Sequence, residues 1–553
     1  MRSELEERID DFLSILNGLW DKELPPLFVL PERKNIEELL NHLDNGVDYS
    51  LFSFSDSLNH YIKEMVNVRI SNDVGKGSEP AFYYSYKNSG SLRQMGILNM
   101  FMYVSFVYNA IRFKNDFFID HYLTFNQYEH SLSPIFANTD FYIDFDFYGE
   151  AKENYTLAFL VNIFGFEMTK EKTNKEESSF IYSLHIDVSN FYQNIYTHIL
   201  ERIGKGYDTF GTANNEDLKG YFHFLDKFNQ QVNMSQTKGI IPGPFSSTLC
   251  AELFMCEIDK KIFECILNGD RLGYLRNVDD LTFYSDSKEK LESVFNKVQI
   301  ILNEYKLSIN DNKTRIESCA FEYEESMLSD LNKAVDDFCD EIDSVSALEN
   351  FKARVGQSIK NKQYSLAKGI ITKLKATIIE KELPIENPRM LIDYLMKLSL
   401  TEKSLGSRCL KLIDHLIERH CDENTKNRVL EELMSKLPLI NEGFSDSVIQ
   451  IWFYYILNKH LDNESADILL DIYCNNTTTK NPIVLATFVK KGDGNNQNLF
   501  DVLNSETSGL SNLFYSSFCL TLIRLYSFDK NNYDSYLDGK PALMSALFDD
   551  ITL

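Results

Sequence analysis

Between residues 181 and 318 the hydrophobic period switches repeatedly between two residues and three to four, and the order of those switches admits few folds. An apolar run over 181–189 reads as a strand. A helix is expected from about Asn194, followed by the Gly/Pro turn "KGIIPGPFSS" and a long amphipathic helix, "STLCAELFMCEIDKKIFECIL". "RLGYLRNVDDLTFYSD" then sets two aromatic and β-branched runs around a tight acidic turn, the pattern of a β-hairpin. The helix "SKEKLESVFNKVQIILNEY" and the short segment "KLSINDNKTRI" complete the series. Strand, helix, hairpin, helix, strand is the split βαβ arrangement of a ferredoxin-like α+β sheet with helices on one face. It brings the hairpin turn close to the end of the first strand.

That closeness gives three carboxylates a common destination. Asp187 ends the first strand, and Asp279 and Asp280 sit on the hairpin turn. Neighbouring strands lie ~4.8 Å apart, so the three side chains fall within metal-bridging distance of one another. Taken singly, each Asp has an ordinary explanation, because Asp suits turns and bonds its own backbone. Three together repel unless divalent cations neutralise them, and such an arrangement serves two-metal phosphoryl transfer, with ions ~4 Å apart.

The flanking regions differ in kind. Residues 1–180 are mixed and aromatic-rich, with helices expected near 3–17 and 56–67 and a hairpin, "AFYYSYKNSGSLRQMGIL", turning at Asn88–Gly90. From about residue 326 one amphipathic pattern follows another, opened by caps such as Asn387–Pro388 and Ser445. An irregular HEAT-like stack is favoured there over a compact bundle, as a packing and assembly scaffold. A chain of 553 residues exceeds one compact core, and the division expected is 1–325 and 326–553. The net charge of −26 argues against a long generic duplex groove, because nonspecific affinity for nucleic acid comes from Lys and Arg neutralising phosphates. Nine cysteines without a C-x-x-C pair read as reduced core thiols, not zinc ligands or disulfides. No run approaches the ~20 apolar residues of a spanning helix, and the N-terminus is unlike a secretory signal, so a cytoplasmic protein is expected.

Four ordered segments resemble reverse-transcriptase motifs. "HIDVSNFYQNI" is similar to the first metal-binding motif, "GIIPGPFSS…AE" to the Gly/Pro/Ser motif, "NVDD" to the double-Asp motif and "LSINDNKT" to the motif after it. Upstream, "YKNSGSLRQMGIL" resembles the fingers segment, so the likeness covers roughly 80–320. Within that superfamily the chain looks like the prokaryotic abortive-infection (Abi) polymerases, which place reverse-transcriptase-like fingers and palm before a helical-repeat domain. The resemblance implies protein-primed, template-independent DNA synthesis from dNTPs in anti-phage defence. It further implies single-stranded DNA attached to a protein hydroxyl, and a homo-oligomer, trimer or hexamer.

By the same resemblance Asp187, Asp279 and Asp280 would hold two Mg2+ or Mn2+ ions, with the backbone carbonyl of Val188 as a further ligand. Tyr192 matches the steric gate that excludes a 2′-hydroxyl. Lys87 and Arg93 match the cations that hold the triphosphate, Ser246 joins the nucleotide-binding set, and Lys313 stands near the pyrophosphate. Two positions depart from template-copying enzymes: Asn277 replaces the Tyr or Phe before the double Asp, and Ile241–Pro242 replaces a Gln-Gly pair beside the nascent base pair. Tyr49, Tyr533 and Tyr536 are candidate priming hydroxyls. Two alternatives stay open: an RNA-templated enzyme of the retron kind, and a catalytically degenerate palm that only scaffolds an assembly.

Overall fold

The structure, a computed structural model, describes residues 4–28, 30–44, 80–88, 90–112, 130–133, 136–138, 157–159, 166–206, 215–268, 271–319, 324–477, 480–489, 496, 498–499 and 502. The helix expected near 56–67, and Tyr49, Cys519, Tyr533 and Tyr536, lie outside them. Helices α1 (Glu4–Asn17) and α2 (Arg33–Asp44) open the chain, and β1 (Ala81–Tyr86) and β2 (Leu92–Ile97) form the expected antiparallel hairpin. Helix α3 (Met100–Arg112), the short pair β3 (Phe136–Asn138) and β4 (Leu157–Phe159), and α4 (Phe166–Ser179) lead to the central sheet.

That sheet holds β5 (Tyr182–Asp187), then, after α5 (Phe191–Asn194), α6 (His198–Gly206), α7 (Asn215–Gln231) and α8 (Phe245–Ile262), the hairpin β6 (Gly273–Asn277) and β7 (Asp280–Ser285). Helix α9 (Lys288–Glu304) and β8 (Arg315–Ser318) close it. The spatial order is β6-β7-β5-β8, antiparallel at every step. This is the split βαβ order: the strand that carries Asp187 is central, and the returning strand of the hairpin lies beside it. Ser287 caps α9 by accepting a bond from the Lys290 amide, as its place before a charged, periodic run predicts.

Two local expectations change. The helix expected from Asn194 is one turn, α5, then a break. Ile195 is extended, Tyr196 bridges Lys238, and the Thr197 amide donates to the Thr237 carbonyl at 2.9 Å, so the chain here pairs with the approach to the Gly/Pro turn. Helix α8 is not amphipathic: Leu249, Leu253, Phe254, Met255 and Ile258 are buried together with Glu252 and Asp259, because the sheet covers one side and other helices the rest.

After β8 every described element is helical: α10 (Glu324–Cys339), α11 (Val345–Lys360), α12 (Tyr364–Glu380), α13 (Pro388–Thr401), α14 (Gly406–His420), α15 (Glu423–Ser435), α16 (Leu437–Gly443), α17 (Val448–His460), α18 (Asn463–Asn476) and α19 (Pro482–Ala486). Asn387 precedes Pro388 at the first position of α13, as expected. Ser447, not Ser445, caps α17, because its hydroxyl is the one that accepts the Gln450 amide. The described cysteines are free thiols, and Cys250, Cys256 and Cys409 are fully buried.

The helical region grips the N-terminal hairpin directly. The Tyr84 amide donates to the Asp446 carbonyl at 2.8 Å, and Asn481 Nδ2 donates to the Phe82 carbonyl at 3.0 Å. Trp452 Nε1 donates to the Glu23 carbonyl at 2.7 Å. On its other side the hairpin meets the Gly/Pro turn: the Gly96 amide donates to the Pro242 carbonyl at 3.0 Å. A Cβ on Gly96 would come within 2.6 Å of Ile241 Cγ2, so the close approach requires glycine.

Candidate active site

The register of the sheet sets Asp187 opposite Asp280, and Asp280 opposite Asn277, so Val278 and Asp279 alone make the turn. Asp280 is thus the first residue of its strand, not a turn residue. The three carboxylates lie near enough to act on one another through charge. Burial raises Asp279 to about 6, with the charges of Asp280 and Asp187 adding to it and Arg93 opposing it. Asp280 is pushed up by burial and then by Asp187. Asp187 is the best supported of the three: its Oδ2 accepts from Asn310 Nδ2 at 2.9 Å and its Oδ1 from Lys313 Nζ at 2.6 Å. Both donors come from the "LSINDNKT" segment, and the Asn310 amide also donates to the Asp187 carbonyl at 2.8 Å.

An oxygen-only donor set carrying uncompensated negative charge fits Mg2+ or Mn2+. Val188 can add a carbonyl, since its bridge to Ile309 uses the carbonyls of Asp187 and Ser308 instead. When bound, such ions supply charge neutralisation at the reacting phosphate and a more acidic attacking hydroxyl.

The turn that presents Asp279 rests on a group the sequence reading passed over. Arg276 is fully buried on β6. Its Nη1 and Nη2 each donate at 2.8 Å to Glu252 of α8, and its Nε donates to Asp259 at 2.9 Å. Tyr274 donates its hydroxyl to the same Asp259 at 2.6 Å. Nη1 also reaches the Val278 carbonyl at 3.1 Å, while the Val278 amide donates to Ser133 Oγ at 2.9 Å. Val278 needs both holds, because its φ of 54° is unfavourable for a β-branched residue. The available signal was an Arg inside an apolar strand, with two acids seven residues apart on one helix face.

The remaining residues named by resemblance divide into those near the aspartates and those apart. Tyr192 lies within reach of both Asp279 and Arg93; burial first, and the Asp279 charge second, hold its hydroxyl well above the ordinary range, while a bond with Thr248 works against them. Lys313 is on Asp187, as described. Lys87 is exposed at the end of β1, and its amide donates to the Ser91 carbonyl at 2.8 Å. Ser246 is fully buried in the first turn of α8, its Oγ without a hydrogen-bond partner among the described residues, so its side chain belongs to packing in this structure. A separate group, His198, Glu201 and Asp226, brings ligand atoms within 4.8 Å of one another between α6 and α7. There His198 Nδ1 and Asp226 Oδ2 are 2.9 Å apart, an internal pair distinct from the three aspartates.

Comparison with known proteins follows the same line. Residues 151–348 match the family model described as reverse transcriptase (RNA-dependent DNA polymerase). No curated protein matches the chain. Among solved structures, apo telomerase from Candida tropicalis is similar over 70% of this chain and 69% of that one, at 11% identity and a TM-score of 0.28. Telomerase from Candida albicans, in complex with the TWJ fragment of telomeric RNA, is similar over 71% and 66%, at 11% identity and a TM-score of 0.27. Among the described residues no helix is long and apolar enough to cross a membrane. Residues 151–348, which hold the three aspartates and the sheet around them, thus carry a reverse-transcriptase-like domain.

Proposed function

We propose that the protein is a protein-primed, template-independent DNA polymerase of the Abi kind, acting in the cytoplasm in anti-phage defence. The observation that carries the enzymatic part is the convergence of Asp187, Asp279 and Asp280, retained although burial and mutual repulsion penalise it. A palm reduced to a scaffold has no reason to keep so unfavourable a cluster. Asp187, Val188, Asp279 and Asp280 hold two Mg2+ or Mn2+ ions. Arg93 and Lys87 receive the triphosphate of a dNTP, Lys313 serves the departing pyrophosphate, Tyr192 excludes the 2′-hydroxyl, and Ser246 belongs to the nucleotide-binding set by the resemblance. Support for synthesis without a template comes from the hairpin seated on Ile241–Pro242, which occupies the surface a base pair would lean on. The division at 325 and 326 and the HEAT-like character of the second part rest on the succession of amphipathic patterns after residue 326, and a trimeric or hexameric assembly rests on the resemblance. Priming from Tyr49, Tyr533 or Tyr536 belongs to the same proposal.

Adding each labelled dNTP alone to purified protein with Mg2+ or Mn2+ and no nucleic acid should yield DNA that stays on the protein through denaturation. Strict dependence on added RNA would instead establish the templated reading, which the description of the matched family favours. Tyr192→Ala should lower the preference for dNTPs over rNTPs by roughly tenfold to a hundredfold, equivalent to about 1.4 to 2.8 kcal/mol of discrimination. The ratio of kcat/KM for the two sugars measures it, and Tyr192→Phe should keep the preference.

A further inference from the structure

Against a net charge of −26, one face of the helical region is cationic. Lys368 and Lys375 are seven residues apart on α12 and share a face; Arg408, Lys411 and His415 repeat that spacing on α14, which packs against it. The acids nearby are already engaged. Asp414 accepts from Lys459 at 2.9 Å and lies 3.1 Å from His460 Nε2, Glu418 accepts from Lys459 at 3.0 Å, and Glu402 from the Ser404 hydroxyl at 2.8 Å. Glu23 accepts from the Ser85 hydroxyl at 2.6 Å and stays 3.6 Å from Arg408. Among the described residues no carboxylate bridges Lys368, Lys375 or Lys411, and Arg408 Nη1 is buried without a hydrogen bond. The crowding is costly. Lys375 is brought down to about 8 by burial and by Lys411, with Asp414 and Glu418 opposing, and Lys368 is lowered by burial and then by Arg408, with Glu23 and Glu402 opposing.

The row starts beside the hairpin turn that carries Lys87. Lys368 Nζ donates to Asn88 Oδ1 at 2.5 Å, in the turn that also carries Lys87, and Lys368 feels the charge of Arg93, which in turn acts on Asp279. From there Lys375 is two helical turns on, ~10 Å. The phosphates of a single nucleotide span less than that row, whereas those of a polymer repeat along its whole length.

Resting on the polymerase reading above, we propose that the Lys368–Lys375 face of α12, with Arg408 and Lys411 of α14, carries the phosphates of the single-stranded DNA product as it leaves the active site.

Labelled oligothymidylate titrated into the full chain, followed by fluorescence anisotropy over a range of salt, tests it. Lys375→Glu/Lys411→Glu should weaken binding about tenfold or more and flatten the plot of log affinity against log salt by ~1.4, since a single strand gives ~0.7 per phosphate neutralised. Lys360→Glu/Lys373→Glu makes the same change of charge away from the row and should leave both values near wild type; Lys373 is occupied by Asn332. Lys375→Gln/Lys411→Gln should fall between, with unfolding midpoints checking that each variant folds. Equal losses in the two Glu pairs would overturn the proposal, and so would competition by polyglutamate as strong as by oligothymidylate, which would assign the face to an acidic protein. Wild-type protein that binds as expected but incorporates no nucleotide would remove the polymerase reading and leave the strand-binding face standing.

Discussion

Asp279→Asn/Asp280→Asn is expected to lower nucleotide incorporation by at least ~1000-fold, a loss of ~4 kcal/mol in transition-state stabilisation, and yet to make the metal-free fold more stable. The first effect follows from removing two of the three carboxylates proposed to hold the cations. The second follows from linkage. Asp279 has a folded value of about 6 against an ordinary 3.8, raised mainly by burial, so between those values the native state binds more protons than the unfolded chain. Metal-free stability therefore falls as pH rises from about 4 to about 6, and above that the charged Asp279 costs roughly 3 kcal/mol. Asn carries no such charge. With chelator present, the double variant should unfold at higher denaturant than wild type at pH 7.5 and lose most of that advantage at pH 4.5. Adding Mg2+ should stabilise wild type alone. A variant that folds well and still incorporates dNTPs would end the assignment of the reaction to these aspartates.

Arg276→Met should cost ~3–5 kcal/mol, because Glu252 and Asp259 would stay buried without the cation that holds them. The unfolding midpoint in urea reads this. Incorporation should fall as well, even well below that midpoint, since the Val278 carbonyl loses its donor and the strained turn beneath Asp279 is released. Arg276→Lys keeps the charge but not the planar fork and should recover only a minor part. The triple change Arg276→Met/Glu252→Gln/Asp259→Asn removes the orphaned charges and should regain stability while incorporation stays low. If activity recovered together with stability, the cluster would be a packing device with no hold on the turn.

The contrast between these two sites shows what a sequence discloses. Asp187, Asp279 and Asp280 were legible because each sits at the end of a period-two run, and the order of runs fixes which ends meet. Arg276 was not, because its partners lie on α8 and in Ser131–Ser133, and only the packed sheet brings them beside β6. Helix α7 has a signal of its own, because Tyr221, Phe222, Phe224, Leu225 and Phe228 recur at helical spacing on its buried face. The break at Ile195–Thr197 depends on a distant segment, so local propensity pointed to continuous helix. Asn310 was quoted in a motif without a role, and its bond to Asp187 emerges only when β8 turns back along β5.

The bonds from Tyr84 to Asp446 and from Asn481 to Phe82 also set a timetable. Phe82 and Asn481 are 399 residues apart in the chain. At a ribosomal rate of ~5–20 residues per second, the first hairpin waits about 20 to 80 s for the strand-edge partners that secure it. A nascent chain therefore finishes its central sheet long before its first hairpin is fastened.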